Sequence, residues 1–137
     1  METVKVFVYG TLKIGGSLTN NTLEKRRLGV NEAILNSAVL CDLGPFPGVL
    51  LKDEAEEEEG LSKVYGELHV YSDPKAVLDT MDAIEGYNKN NVKDSLFIRR
   101  KVFVENIEKM QTEEAYMYEI NNKYLPAKVS VLGSGKW

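Results

Sequence analysis

The sequence has few of the residues that form covalent cross-links, metal sites and histidine-based catalytic centres. Its 137 residues include one cysteine, Cys41, and one histidine, His69. A single thiol cannot form an intrachain disulfide, so packing must hold the fold together, as is usual in a reducing compartment. No metal-ligating cluster is evident, and a Ser-His-Asp or His-Cys site would need His69, which lies in a strand-like segment. We interpret His69 as a structural residue.

Long apolar runs and an excess of positive charge are also missing. The chain contains no run of about 18 apolar residues, the length that a membrane span would need. The N-terminus leads directly into a strand-like segment, and we therefore expect a soluble, cytoplasmic protein. The formal net charge is −4, which disfavours binding to the phosphates of nucleic acids.

The composition that is present indicates one globular domain. With 137 residues and 43% hydrophobic content, the chain can bury one sizeable core, and we predict a single domain over residues 1–137. Strand-like patterns are predicted at residues 4–9, 33–43, 64–71, 96–104 and 115–120, and a short apolar run at 49–51 follows a proline-containing turn at 44–48. These patterns predict an α+β fold with a largely antiparallel sheet that curls toward a barrel.

Two segments of the chain are polar, and one strand alternates clearly. Residues 17–28 have weak helical periodicity, and the acidic residues 53–60 are predicted to form a solvated hairpin loop. In residues 64–71, the alternation places Val64, Leu68 and Val70 on one face and the more polar side chains, His69 among them, on the other.

The clearest helix is predicted over residues 74–85. Asp73 is a suitable N-cap before Pro74, and Gly86 provides the C-terminal stop. An apolar stripe runs along one face at helical spacing, comprising Val77, Leu78, Met81 and Ile84. Glu85 lies four residues after Met81, which places its carboxylate toward the core.

Two interpretations of Glu85 follow from this position. Desolvation, with a like-charge contribution from Asp82, would raise the pKa of Glu85 and make it a candidate general acid/base. Alternatively, the carboxylate lies at a frayed helix terminus and points into water.

The turn after the first strand, Tyr9-Gly10-Thr11-Leu12, is a second candidate site. Gly10 lets a ligand approach the main chain, and the N–H groups near Thr11 and Leu12 are suited to an oxyanion or a carboxylate. An ordinary strand-terminating turn would have the same sequence pattern. The glycines that follow do not complete a phosphate-binding loop, because Gly16 occupies the position of its lysine.

Three segments together resemble a known family. They are VFVYGTLK (residues 6–13), VYGEL (64–68) and LDTMDAIEGY (78–87), and the end of the chain, GSGKW (133–137), is similar to a Ser-Gly-Asp-Trp tail. Their order and spacing resemble the γ-glutamylcyclotransferase-like superfamily, on its short γ-glutamylamine cyclotransferase and AIG2-like branch.

The resemblance implies a small mixed, largely antiparallel β-barrel with flanking helices. It implies that Glu85 is the catalytic glutamate and that Tyr9, Gly10, Thr11 and Leu12 bind a small-molecule γ-glutamyl substrate, which is converted to 5-oxoproline and a free amine without a cofactor. The chain departs from the family in having Phe97 where a tyrosine is common, and Lys136 where the tail often has aspartate.

A non-catalytic small-molecule-binding or interaction domain of the same fold is the alternative function. Neither the amine half of the substrate nor the oligomeric state follows from the sequence.

Overall fold

The computed structural model of the chain describes residues 1–10, 12–13, 20–52 and 63–137. Its strands are β1 (Thr3–Val8), β2 (Arg27–Asn36), β3 (Ala38–Asp42), β4 (Pro47–Leu51), β5 (Lys63–Ser72), β6 (Phe97–Asn106), β7 (Gln111–Ile120) and β8 (Ser130–Val131). The α-helices are α1 (Asn21–Arg26) and α2 (Pro74–Glu85), and Val92–Asp94 and Asn122–Tyr124 form short 3₁₀ turns.

The strands form one sheet that closes on itself. They pair in the order β1-β5-β2-β6-β7-β4-β3-β8, and a further pairing between β7 and β1 closes five of them into a barrel. The contacts of β7 with β1 and with β4 are parallel, whereas the other pairings are antiparallel. This architecture confirms the predicted α+β fold, a small mixed and largely antiparallel barrel with flanking helices.

Alternation along the strands produces two apolar clusters. One, which includes Phe7, Leu68 and Met117, fills the interior of the barrel. The other joins the outer face of the barrel to the helices, and Val77 and Met81 of α2 are both fully buried in it. The helices therefore cover part of the barrel wall, and none in the described ranges is long and apolar enough to span a membrane.

The boundaries of several predicted elements differ from the structure. The predicted strand 33–43 is divided at Ser37, whose φ of 56° interrupts the ladder between β2 and β3. Within the weakly helical segment 17–28, only Asn21–Arg26 is helical, capped by the side chain of Asn20, and β2 begins immediately afterwards. The predicted turn at 44–48 ends earlier, because β4 starts at Pro47. The acidic segment 53–60 lies outside the described residues.

The alternating strand predicted at residues 64–71 lies within β5. On the face with the more polar side chains, His69 and Tyr71 are 0% and 1% exposed, because α1 and α2 pack over this face of the sheet. The His69 ring is hydrogen-bonded at both nitrogens, to the Tyr71 hydroxyl at 2.8 Å and to the Glu67 carboxylate at 2.9 Å. Burial lowers its pKa, as expected for a structural histidine.

Gly66 of β5 provides a test of this packing. A Cβ atom added there would overlap the carbonyl oxygen of Val8 and lie 2.8 Å from Cζ of Phe7. Gly66→Ala should therefore lower the free energy of unfolding by about 1–3 kcal/mol, as overpacking of a core typically does. Urea unfolding measures the change. The control is Gly29→Ala in β2, where nothing lies within 4 Å of the added atom. Equal stability of the two variants would contradict the close approach of β1 to β5.

Candidate active site

Helix α2 positions Glu85 at the very end of its last turn. The bounds are those predicted, with Asp73 as N-cap, Pro74 in the first turn and Gly86 as a C-cap with φ of 67°. The N–H of Tyr87 donates to the carbonyl of Asp82 at 2.9 Å, which closes the helix. Because Gly86 turns the chain away immediately after Glu85, the glutamate is held where the helix meets the barrel.

The Glu85 side chain is partly buried and borders a cavity. Within the described part of the chain, its carboxylate forms neither a hydrogen bond nor an ion pair. Burial raises its pKa from 4.5 to about 7, because the charged form loses hydration without gaining a partner. Of the two sequence interpretations, the core-facing carboxylate is the one that the geometry matches.

The predicted contribution of Asp82 to this pKa is wrong. The Asp82 carboxylate accepts hydrogen bonds from Nη1 of Arg99 at 2.9 and 3.0 Å and from the Tyr118 hydroxyl at 2.7 Å. Arg99 compensates the charge of Asp82, and desolvation is the cause of the raised pKa of Glu85. Sequence spacing alone could not reveal Arg99, which belongs to β6.

Tyr9 follows β1 and lies against the same cavity. Its hydroxyl donates to the carbonyl oxygen of Tyr118 at 2.6 Å and accepts from the N–H of Val49 at 3.3 Å. Burial raises the pKa of Tyr9 well above its ordinary value, and the nearby charge of Glu85 raises it further. The hydroxyl therefore links β1 to β7 and β4 and stays protonated.

Gly10 and Leu12 continue this wall of the cavity. The N–H of Lys13 donates to the carbonyl of Gly10 at 3.1 Å, which closes the turn. A Cβ atom added at Gly10 would lie 2.7 Å from Cγ of Pro47, so packing against β4 favours a glycine at this position. Leu12 is buried in the cluster that joins the helices to the barrel. Thr11 lies outside the described residues.

The cavity has a volume of about 260 Å³ and lies between the end of α2 and one end of the barrel. It brings together four of the predicted residues, Tyr9, Gly10, Leu12 and Glu85. The other lining residues are Phe7, Val8, Pro45, Phe46, Pro47, Ile84, Leu96, Phe97 and Tyr118.

Several of these lining residues had no role in the sequence prediction. The sequence predicted only a turn at Pro45, Phe46 and Pro47. The fixed φ angles of two prolines around an aromatic residue could have indicated a rigid apolar surface. Tyr118 lies in an alternating strand, and no sequence signal distinguishes it from its neighbours.

Comparison with known proteins identifies the family. The family model described as "Gamma-glutamyl cyclotransferase, AIG2-like" matches residues 6–137, and the chain belongs to this family. No curated protein sequence gives a significant match.

Solved structures with the same fold come from plants, bacteria and mammals. Arabidopsis thaliana At3g28950.1 is 22% identical with a TM-score of 0.66, over 100% of this chain and 70% of that one. An AIG2-like protein of Mus musculus is 20% identical with a TM-score of 0.60, over 92% and 82%. Bacillus subtilis YkqA is 23% identical with a TM-score of 0.64, over 99% of this chain and 40% of that one.

The free energy of unfolding should depend on pH, because the Glu85 carboxylate has no partner among the described residues. The folded-state pKa of about 7 exceeds the ordinary 4.5, so ionisation disfavours the folded state progressively between these pH values. At about 1.4 kcal/mol per pH unit, the penalty above pH 7 reaches up to about 3 kcal/mol. Glu85→Gln should match the wild type at pH 4 and be more stable at pH 8. Denaturant unfolding at both pH values measures this, with the exposed Glu105→Gln as the control.

Tyr9→Phe should lower the free energy of unfolding, because the Tyr9 hydroxyl forms two buried hydrogen bonds. Removal of the hydroxyl leaves the N–H of Val49 and the carbonyl of Tyr118 without this partner in a buried environment, which should cost about 1–3 kcal/mol. Tyr124→Phe is the matched control, because its hydroxyl donates to the Asp94 carbonyl at the surface. If thermal unfolding shows the same small change for both variants, the Tyr9 hydroxyl does not hold the strands together.

Proposed function

We propose that this chain is a γ-glutamyl cyclotransferase that converts a γ-glutamyl amine or γ-glutamyl amino acid to 5-oxoproline and a free amine. Glu85 would be the general acid/base. The observation that carries the proposal is the carboxylate of Glu85, which borders the cavity without a partner among the described residues and has a pKa of about 7. Family membership supports the reaction class.

The reaction needs two protons to move from one nitrogen to another. The α-amine of the γ-glutamyl group attacks its own γ-carbonyl carbon, so that a C–N bond forms within a five-membered ring while the original amide C–N bond breaks. The α-ammonium group must lose one proton before the attack and a second one once the ring C–N bond has formed, because the lactam nitrogen keeps a single hydrogen. The departing nitrogen gains one proton to leave as an amine and a second to become an ammonium ion. A single carboxylate can accept each proton from the attacking nitrogen and pass it on to the departing one in turn, so the overall step is balanced.

A pKa of about 7 suits Glu85 to both halves of this transfer. Near neutral pH, the carboxylate and the carboxylic acid are both populated, and neither form has to break an existing ion pair first. Ring closure is intramolecular, so the protein has only to hold the reactive rotamer of the substrate.

The other titratable groups of the cavity support this assignment. Among the described lining residues, they are Tyr9 and Tyr118, whose hydroxyls already donate to the Tyr118 carbonyl and the Asp82 carboxylate. The pKa of each tyrosine is raised by burial above its ordinary value of 10. Glu85 is therefore the group of this set that exchanges a proton near neutral pH.

The turn after β1 is the proposed binding element for the developing oxyanion. The N–H of Leu12 forms no hydrogen bond with the residues that the structure describes, and Leu12 lines the same cavity as Glu85. A main-chain donor of this kind stabilises negative charge on the former carbonyl oxygen. In this proposal Tyr9 and Gly10 shape the wall, and Thr11 contributes its N–H.

Glu85→Gln tests the catalytic role. The variant keeps the side-chain volume but cannot accept the ammonium proton, so release of 5-oxoproline should fall by about 10²–10⁴-fold. The wild-type kcat/KM should rise with pH up to about 7, because the base form of Glu85 accumulates there, and level off above it. The variant should lose this dependence.

Asp79→Asn is the matched control, because Asp79 lies on the exposed side of α2 in an ion pair with Lys75. Its activity should stay close to that of the wild type. Near-wild-type turnover by Glu85→Gln would place the base elsewhere. If the wild type binds 5-oxoproline in a thermal-shift assay but turns over no γ-glutamyl compound, the chain is a non-catalytic binding domain.

A further inference from the structure

The guanidinium of Arg99, in β6, is held on three sides. Its Nη1 donates to both carboxylate oxygens of Asp82, at 3.0 and 2.9 Å, and its Cζ lies 5.3 Å from the ring centroids of both Tyr87 and Tyr116. The Arg99 and Asp82 side chains are only 21% and 16% exposed. A cation that is shielded from water and stacked on aromatic rings is bound more firmly than one in an exposed ion pair. Arg99 therefore fixes the groups that it contacts.

Two of these contacts lie on either side of Glu85 in the sequence. Asp82 precedes Glu85 by three residues, and Tyr87 follows it by two. Between them α2 ends, with the N–H of Tyr87 donating to the carbonyl of Asp82 at 2.9 Å. Because Arg99 binds both flanking side chains, it holds the last turn of the helix on each side of Glu85.

The same ion pair reaches the cavity through Tyr118 of β7. The Tyr118 hydroxyl donates to Oδ1 of Asp82 at 2.7 Å, and Tyr118 lines the cavity together with Glu85. Burial raises the pKa of this hydroxyl above its ordinary value of 10, and the hydrogen bond to Asp82 and the charge of Glu85 raise it further. Arg99 is absent from the described lining of the cavity. It therefore acts on the cavity only through the residues that it holds.

The ion pair also compensates a charge next to Glu85. Side chains three residues apart on a helix are neighbours, and an uncompensated Asp82 carboxylate would disfavour ionisation of Glu85. With Arg99 in place, burial is the cause of the raised pKa of Glu85. The other ionisable groups in the described lining are Tyr9 of β1 and Tyr118 of β7, and burial keeps both protonated. Removal of Arg99 should thus have two separable effects, one on position and one on charge.

We infer that Arg99 is a positioning residue, which fixes the carboxylate of Glu85 in the cavity and shields it from the charge of Asp82; this inference rests on the proposed function. Arg99 would not touch the substrate. Its effect on the rate can nevertheless be large, because a displacement of a catalytic group by about 1 Å can cost about 10²-fold.

Arg99→Met tests the inference, since it keeps an unbranched hydrocarbon side chain but removes the cation. The kcat for release of 5-oxoproline should fall by about 10–100-fold with little change in KM, because the reacting group is displaced while the rest of the cavity remains. The rise of kcat/KM with pH should also move to higher pH, because the uncompensated Asp82 carboxylate raises the pKa of Glu85 further.

Two more variants separate position from charge. When Asp82→Asn is combined with Arg99→Met, both charges are gone, so the pH dependence should return to that of the wild type while kcat stays low. Arg99→Lys keeps the charge but loses the planar guanidinium, so it should keep the wild-type pH dependence and recover part of kcat.

Lys75→Met is the matched control, because it removes the cation of an ion pair on the exposed side of the same helix. Its kcat and its pH dependence should both match those of the wild type. Circular dichroism verifies that each variant is folded, and Arg99→Lys and the double variant test kcat even if Arg99→Met does not fold.

An NMR titration of the Glu85 carboxylate carbon gives a readout that needs no turnover. The midpoint should lie near about 7 in the wild type and in Lys75→Met, and at higher pH in Arg99→Met. A folded Arg99→Met variant with wild-type kcat and an unshifted titration would overturn the inference and leave the proposed function intact. An equal loss of kcat in Lys75→Met would also overturn it. No 5-oxoproline from the wild type would contradict the proposed function, and an unshifted titration would then overturn the inference independently.

Discussion

The carboxylate of Asp82 fixes the end of α2 to the barrel, and the arrangement of the site depends on this contact. It binds the guanidinium of Arg99 in β6 and the hydroxyl of Tyr118 in β7, so one side chain joins the helix to two strands. Glu85 follows three residues later and has no such partner among the described residues. The two carboxylates, about one turn apart, therefore have different roles. The Asp82 carboxylate, whose charge is compensated, stabilises the fold, whereas the Glu85 carboxylate, whose charge is not compensated, has a raised pKa.

Closure of the barrel brings the rest of the site to this helix end. β1 pairs with β7 only near Val6 and Tyr116, and the Tyr9 hydroxyl continues the connection through Tyr118 and Val49. The turn at Gly10 then packs against Pro47 of β4. Because the two hydrogen bonds of the Tyr9 hydroxyl alone join residues that are 40 and 109 positions apart in the chain, the cavity depends on the complete barrel rather than on any one motif.

What could be predicted from the sequence is what local chemistry determines. The bounds of α2 follow from its capping residues, Asp73 with Pro74 at the start and Gly86 at the end, and helical spacing places Glu85 beside the apolar stripe. The bounds of the helix and the position of Glu85 in it were therefore predicted correctly. The burial of His69 and Tyr71 could not be predicted, because alternation shows that two faces differ but not what covers each one. The partner of Asp82 was missed for a related reason, since Arg99 reaches it only after β6 folds against α2. Tyr118 likewise lines the cavity only because β7 packs beside elements that are distant in the sequence.

The apolar lining of the cavity explains why the pKa of Glu85 is raised. Hydrocarbon side chains around Glu85 cannot replace the water that a carboxylate loses on burial, and this raises its pKa toward neutrality. A cationic residue in this lining would stabilise the charged form of Glu85 and lower its pKa, which would weaken it as a base in the proposed reaction.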